Sequence, residues 1–409
     1  LTNRIDKFDA DVVVVGGGII GGTFACLLGQ AGIKVLLLDA GVRQVNSLKK
    51  VDARVFAITL ASEQILKKAG AWRRINENDI ACFRKMHVWD ENGLGEINFD
   101  SASICQATMG YIISHQVIVD ALQEKLLDME NVRCIWSVSP AFIKNESDAM
   151  LLETEDGLQF RSKLVVAADG SNSKIRALAN IHYQKHDYKQ SALACVVTTE
   201  YPHAEVARQR FLKRGPLAFL PMVDPHQSAI VWSSSPDHVQ RLKDIDKAAF
   251  HFELSEAFAN ELGEIKDSTE RMVFPLSRAQ AEHYIQPRMA LIGDSAHTVH
   301  PLAGLGANLG LLDAAALAEV LIDTVQRGRD PGRLQVLRRY ERWRKGENHS
   351  MMYMMDGFKH LFENQTQSVQ WLRNFGLDMV DSLPVAKHII MKRAMGIKGD
   401  LPQYARRHH

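Results

Sequence analysis

Asp11-Val12-Val13-Val14-Val15-Gly16-Gly17-Gly18-Ile19-Ile20-Gly21 decides how the first part of the chain folds. The valine run is short, apolar and β-branched, as a parallel strand buried on both faces requires. A helical stretch follows from about Ile19 to Ala31 and closes at Gly32, a C-cap position. A second strand runs from Lys34 to Leu38 and ends at Asp39. Within this G-x-G-x-x-G pattern, Gly16 permits the tight turn out of the strand and Gly18 lets a diphosphate approach the backbone. Gly21 lets the helix pack closely on the sheet. The unpaired N–H groups and positive dipole end of the helix favour an anion there. Asp39, eighteen residues past Gly21, is placed to accept hydrogen bonds from an adenosine ribose. Its charge also disfavours a 2′-phosphate. Together these features define a dinucleotide pocket for FAD or NAD, without choosing between them.

Outward from that unit, Gln116–Leu127 reads as a helix, and Leu164–Ala168 and Ala290–Ile292 read as further buried strands. Val88–Phe99 and Ser191–Ser233 alternate like antiparallel strands, and helical patterns dominate from Leu311 onward. This order predicts an α/β protein: a Rossmann-like, three-layer nucleotide-binding domain on a parallel sheet, interleaved with an antiparallel β-sheet domain and followed by C-terminal helices. The expected division is 1–82, 104–182 and 277–345 for the nucleotide domain, 83–103 and 183–276 for the inserted domain, and 346–409 for the helical region. A chain of 409 residues exceeds the roughly 250–300 at which a single core stops growing.

Two further motifs choose FAD. Ala168-Asp169-Gly170-Ser171-Asn172-Ser173-Lys174-Ile175-Arg176 follows one predicted buried strand, and Gly293-Asp294-Ser295-Ala296-His297-Thr298-Val299-His300-Pro301-Leu302-Ala303-Gly304-Leu305-Gly306-Ala307-Asn308 follows another. Asp294, just past a strand end, suits the hydroxyls of a ribityl chain. The glycine-rich turn Gly304 to Asn308 opens a helix whose N–H groups suit the pyrimidine edge of a flavin, and Pro301 restricts the loop beside it. In order and spacing, the three motifs resemble those of the flavoprotein aromatic hydroxylases. Leu305 stands where that family usually has Gln, and Ser295 where it usually has Ala. Arg54-Val55-Phe56-Ala57-Ile58, Ala218-Phe219-Leu220-Pro221 and Phe274-Pro275-Leu276 are similar to the branch acting on polyprenylated phenols in ubiquinone biosynthesis. Asp224-Pro225-His226 and the Ala394-Met395-Gly396 tail most resemble its 2-polyprenylphenol 6-hydroxylases.

The resemblance implies bound FAD, with Gly16, Gly18, Gly21, Asp39, Arg54, Asp169, Gly170, Gly293, Asp294, Pro301, Gly304, Leu305, Gly306, Ala307 and Asn308 around it. It implies NAD(P)H as electron donor without a second Rossmann site, O2 captured as a flavin C4a-hydroperoxide, and a polyprenylated phenol as acceptor. His297 and His300 are the candidate catalytic residues; a structural histidine held by backbone is the other reading of each. Other functions use the same residues: a dehydrogenase with only the first glycine loop, a flavin-binding assembly component without turnover, or a hydroxylase of another aromatic compound.

Lys plus Arg (49) nearly cancels Asp plus Glu (48), so no global field favours nucleic acid. No Cys or carboxylate cluster completes a metal site with the two histidines. Five scattered cysteines suit a reducing, cytoplasmic setting, and no apolar run reaches membrane-span length. The Met-rich stretch His349 to Gly396, carrying Met351, Met352, Met354 and Met355, reads as core packing. Docking to a membrane surface or a quinone-biosynthesis complex is the alternative, and self-association is left open. The closing Arg406-Arg407-His408-His409 is read as carrying no function.

Overall fold

The computed structural model describes residues 8–43, 54–91, 96–299, 305–363, 387–388, 391–393 and 395–407. Ala10–Val15 lies at the centre of an eight-stranded sheet, parallel to Val35–Asp39 on one side and to Gln159–Ala167 on the other. Val132–Trp136 extends the parallel ladder beyond Val35–Asp39, and Met289–Leu291 extends it beyond Gln159–Ala167. Val12 to Val15 are all at most 3% exposed, which explains why this strand has no polar face. The helices Ile19–Gln30, His115–Leu127 and Leu305–Gln326 share one hydrophobic core with these strands.

A nine-stranded sheet is the second unit. Its long strand Tyr183–Thr199 pairs antiparallel with Gln227–Ser234 and with Met272–Ala281. Lys85–Asp90 joins through a parallel pairing with Val206–Leu212, so the sheet is mostly, not wholly, antiparallel. The helices Pro236–Asp244 and Lys247–Ala257 carry Val239, Leu242, Phe250 and Leu254 into its core beside Leu193, Phe219 and Trp232. A third, three-stranded sheet, not foreseen from the sequence, sets Val55–Thr59 and Ala81–Phe83 on either side of Gly110–Ser114.

Four expected boundaries fall inside single elements, those at 83 and 104 within the strand Ala81–Phe83 and the 3-10 turn Ser101–Ile104. Position 277 lies within the strand Met272–Ala281, and 346 lies within the helix Leu334–Glu363. The chain end is integrated as well. Leu401, Tyr404 and Ala405 pack on the core of the first unit, and the backbone N–H of Gln403 donates to Glu319 at 2.7 Å. Arg407 pairs at 2.8 Å with Glu63, a carboxylate with only 3% side-chain exposure that Lys67 and the Tyr111 hydroxyl also contact. The reading of Arg407 as without function is therefore corrected: it neutralises a buried charge, which would otherwise be costly.

Candidate functional site

Each of the three motif loops leaves the carboxyl end of a parallel strand, where open α/β sheets bind ligands. The first loop turns at Gly16, whose φ of +105° is open to glycine. A Cβ there would stand 2.3 Å from the Ala168 carbonyl oxygen, and one at Gly21 would stand 1.8 Å from that of Gly16. Those two glycines are needed for packing. Gly18 differs: a Cβ at that position meets nothing within 4 Å, and its backbone is extended. It faces open space at the helix start, as a docked diphosphate requires. Asp39 accepts the Gly17 N–H at 2.5 Å and the Gly41 N–H at 2.7 Å. It thus shapes the glycine loop while its half-buried carboxylate keeps acceptor capacity for a ribose.

The second loop begins at Asp169, whose backbone N abuts Gly16. One Asp169 carboxylate oxygen accepts the Ile175 N–H at 3.2 Å; the other is buried and has no partner among the described residues. Such an acceptor suits a hydroxyl or N–H of a ligand. Gly170, at φ +81°, turns the chain into open space. Arg176 closes this motif by donating to the Ser171 carbonyl at 2.8 Å and across to the Ser295 carbonyl at 2.9 Å. Its guanidinium lies 3.5 Å over the Tyr183 ring. One buried arginine therefore ties the second loop to the third.

The third loop is a short 3-10 turn, Gly293–Ser295, followed by the strand His297–Thr298. That strand pairs with Met272–Ala281, so the turn is stitched to the antiparallel sheet. Asp294 is open to solvent from one side, yet the cleft around it strips enough water to push its carboxyl above the usual carboxylate range. Its side chain caps no helix, and it takes no hydrogen bond from the described residues. Ser295 is fully buried, its hydroxyl 2.7 Å from the Ala167 carbonyl and 2.8 Å from that of Ile292. Serine at this position thus anchors the turn to the central sheet, a contact alanine lacks.

His297 is fully buried, and its Nε2 lies 2.5 Å from the Asp313 carboxylate. The histidine is held in place as the structural reading expected, but by a side chain and not by backbone. Gly306 and Ala307 lie in the first turn of the helix Leu305–Gln326, half-buried. Asn308 plays an unforeseen part: its amide donates to the Ala57 carbonyl at 2.8 Å and accepts the Thr59 N–H at 3.0 Å. It binds the start of that helix to the strand Val55–Thr59. Arg54 stands exposed just before that strand, its carbonyl accepting the His115 N–H at 2.8 Å. Ile20 completes the convergence: a Cβ at Gly310 would stand 2.8 Å from its side chain, and one at Gly293 3.2 Å. His300, Pro301 and Gly304 lie outside the described residues, as does the Leu305 side chain. Among the described residues there is no group of His, Cys, Asp and Glu that could hold a metal ion.

The roomy diphosphate cradle at Gly18, the orphaned Asp169 oxygen and the uncommitted Asp294 carboxylate fit the phosphates and hydroxyls of FAD. A cleft of this build, closed against a large antiparallel sheet, defines an FAD-dependent monooxygenase. The chain belongs to the FAD binding domain family, whose description matches residues 9–352, and within it to the ubiquinone-biosynthesis branch of the aromatic hydroxylases. It is 32% identical over 388 residues to the 3-demethoxyubiquinol 3-hydroxylase of Escherichia coli strain K12, spanning 95% of this chain and 98% of that protein. It is 34% identical over 431 residues to the mitochondrial ubiquinone biosynthesis monooxygenase COQ6 of Danio rerio, spanning 93% and 88%. The crystal structure of p-nitrophenol 4-monooxygenase PnpA from Pseudomonas putida DLL-E4 shares the fold, with a TM-score of 0.77 at 21% identity over 94% of this chain and 98% of that one.

Proposed function

We propose that this protein hydroxylates the aromatic ring of a polyprenylated phenol, using NAD(P)H and O2, in the formation of ubiquinone. The observation that carries this reading is the near full-length likeness to ubiquinone hydroxylases, combined with three loops joined at Gly16–Asp169, Arg176–Ser295 and Ile20–Gly293. Bound FAD supplies the redox chemistry, taking electrons from the nicotinamide and activating O2. The protein's own part is to bind, orient and keep the site dry.

Gly18 and the helix start after it receive the diphosphate, while Asp39, Asp169 and Asp294 offer acceptors along the cofactor. Val299, Leu309 and Met352 form a buried apolar cluster beside the third loop and exclude water there. At the seam between the sheets, Val55 packs with Val196, Leu220, Met222 and Met272. Partly buried apolar and Met side chains suit a ring bearing a hydrocarbon chain. No general acid or base is required of the described residues, and His297 is held through Nε2 by Asp313 beneath the turn.

Reconstitution with FAD tests the proposal. NADPH oxidation should rise on adding a short-chain 2-polyprenylphenol, and mass spectrometry should find a product heavier by one oxygen atom. Oxidation that yields only hydrogen peroxide with every phenol would favour a flavin-binding assembly component. Equal turnover of phenols lacking a prenyl chain would favour a different aromatic substrate.

A further inference from the structure

The buried ion network behind the third loop has no role in the function proposed above. Asp313, on the helix Leu305–Gln326, is fully buried and receives four donors. Gly293 N–H reaches one carboxylate oxygen at 3.2 Å, and His297 Nε2 reaches the same oxygen at 2.5 Å. The Arg344 Nε reaches the other at 2.8 Å, and the Asn348 amide reaches it at 3.1 Å. Arg344 also donates to the Asn348 side-chain oxygen at 2.9 Å. Arg344 and Asn348 sit four residues apart on one face of the helix Leu334–Glu363, and both are almost wholly buried.

Burial opposes ionisation of Asp313, but His297 and Arg344 outweigh it and hold the carboxyl down at about 2. A carboxylate only accepts hydrogen bonds, so the His297 ring must donate through Nε2. A hydrogen on Nδ1 too would be a buried donor without an acceptor among the described residues. That is the costlier way to leave an atom unmet. The geometry therefore fixes a proton on Nε2, facing Asp313.

We propose that Arg344 and Asn348 are positioning residues of the flavin cleft: through Asp313 they hold the His297 Nε2–H and clip the Gly293 N–H, so a helix of the C-terminal region sets the geometry of the turn that presents Asp294. This arrangement makes the far end of the chain part of the cofactor site without touching the cofactor. It requires FAD binding alone and is independent of which ring is hydroxylated. Loss of the Arg344 cation leaves the buried Asp313 with two of its donors' geometry unsupported, and the Gly293–Asp294 turn loses its clamp.

The test uses full-length protein stripped of FAD and titrated with it. Arg344→Met should weaken FAD binding about tenfold or more, the equivalent of one charge-assisted hydrogen bond, and shift the midpoint potential of the bound flavin. Arg344→Lys should recover part of both, and Asn348→Ala should cost only a few-fold. A folded Arg344→Met protein with unchanged FAD affinity and unchanged potential would overturn the proposal. The wild type gives a second reading that survives a misfolding variant. Histidine-selective 15N spectra should show, among the described residues, two buried rings carrying a proton on Nε2, those of His203 and His297, with only the His203 signal left in His297→Gln. A His297 ring whose Nε2 carries no proton would equally overturn it.

Discussion

Gly18→Val separates cofactor binding from folding. In the free protein Gly18 is extended at φ −69°, ψ −167°, and a Cβ meets nothing within 4 Å, so a branched side chain enters without collision. Replacing glycine where the backbone suits other residues stabilises by about 0.4–1 kcal/mol through the unfolded chain. Gly18 is also the N-cap of the helix, where valine is disfavoured, so the two effects offset and the variant's thermal midpoint should stay close to that of the wild-type apoprotein. FAD binding, in contrast, should weaken. The isopropyl group fills the cradle and denies the diphosphate two or more charge-assisted hydrogen bonds at the helix start. At about 1.5–3 kcal/mol each, the loss is at least about 3 kcal/mol, or on the order of 100-fold in Kd. Gly16→Ala is the contrasting control. Its Cβ would meet a carbonyl oxygen at 2.3 Å with φ at +105°, so that variant should lose stability first. The assay is a fluorescence titration of stripped protein with FAD, paired with thermal melts. A Gly18→Val protein that binds FAD within threefold of wild type would refute the placement of the diphosphate.

Asp294→Ala removes acceptors for buried hydroxyls, worth roughly 1–3 kcal/mol, and should raise the FAD Kd about tenfold; an unchanged Kd would take Asp294 out of the site. Arg176→Met cuts two hydrogen bonds and a ring contact, and should lower unfolding free energy by about 2–3 kcal/mol, read from the urea midpoint. Asp313 has its carboxyl lowered from 3.8 to about 2 on folding, so its stabilisation is full above about pH 4 and fades as pH falls toward 2. The stability gap between wild type and Asp313→Asn should narrow across that window, and a gap independent of pH would contradict the ionised network. Arg407→Ala should cost about 1–2 kcal/mol, at the low end for a buried pair because Arg407 is one-third exposed; an identical melting temperature would argue against the tail contact.

The first sheet was legible because both-face burial leaves Val12 to Val15 no polar position, and because Gly16 and Gly21 answer to collisions that no other residue avoids. Asp169, Gly170, Gly293 and Asp294 were legible by their place just past strand ends. Asn308 was seen as part of a backbone anion site, but its side-chain contacts with Ala57 and Thr59 span about 250 residues and leave no local trace. Arg344 and Asn348 carried a faint signal, a polar pair four apart within a helical pattern, and nothing pointed it at Asp313. The three-stranded sheet was hidden for the same reason: its strands are short and far apart in the chain. Arg407 looked like an ordinary charged terminus, since only the burial of Glu63 gives it a partner.

That last contact has a consequence for how the protein is made. Glu63 emerges from the ribosome 344 residues before Arg407, and Met289–Leu291 follows Ala10–Val15 into the same sheet only after most of the chain exists. Until then Glu63 has Lys67 alone to offset its charge, and one edge of Gln159–Ala167 lacks its parallel neighbour. The amino-terminal half cannot finish as it is synthesised, so its completion waits on segments translated hundreds of residues later. A nascent chain stalled before residue 289 would expose an apolar strand edge, which makes it a natural client for chaperones.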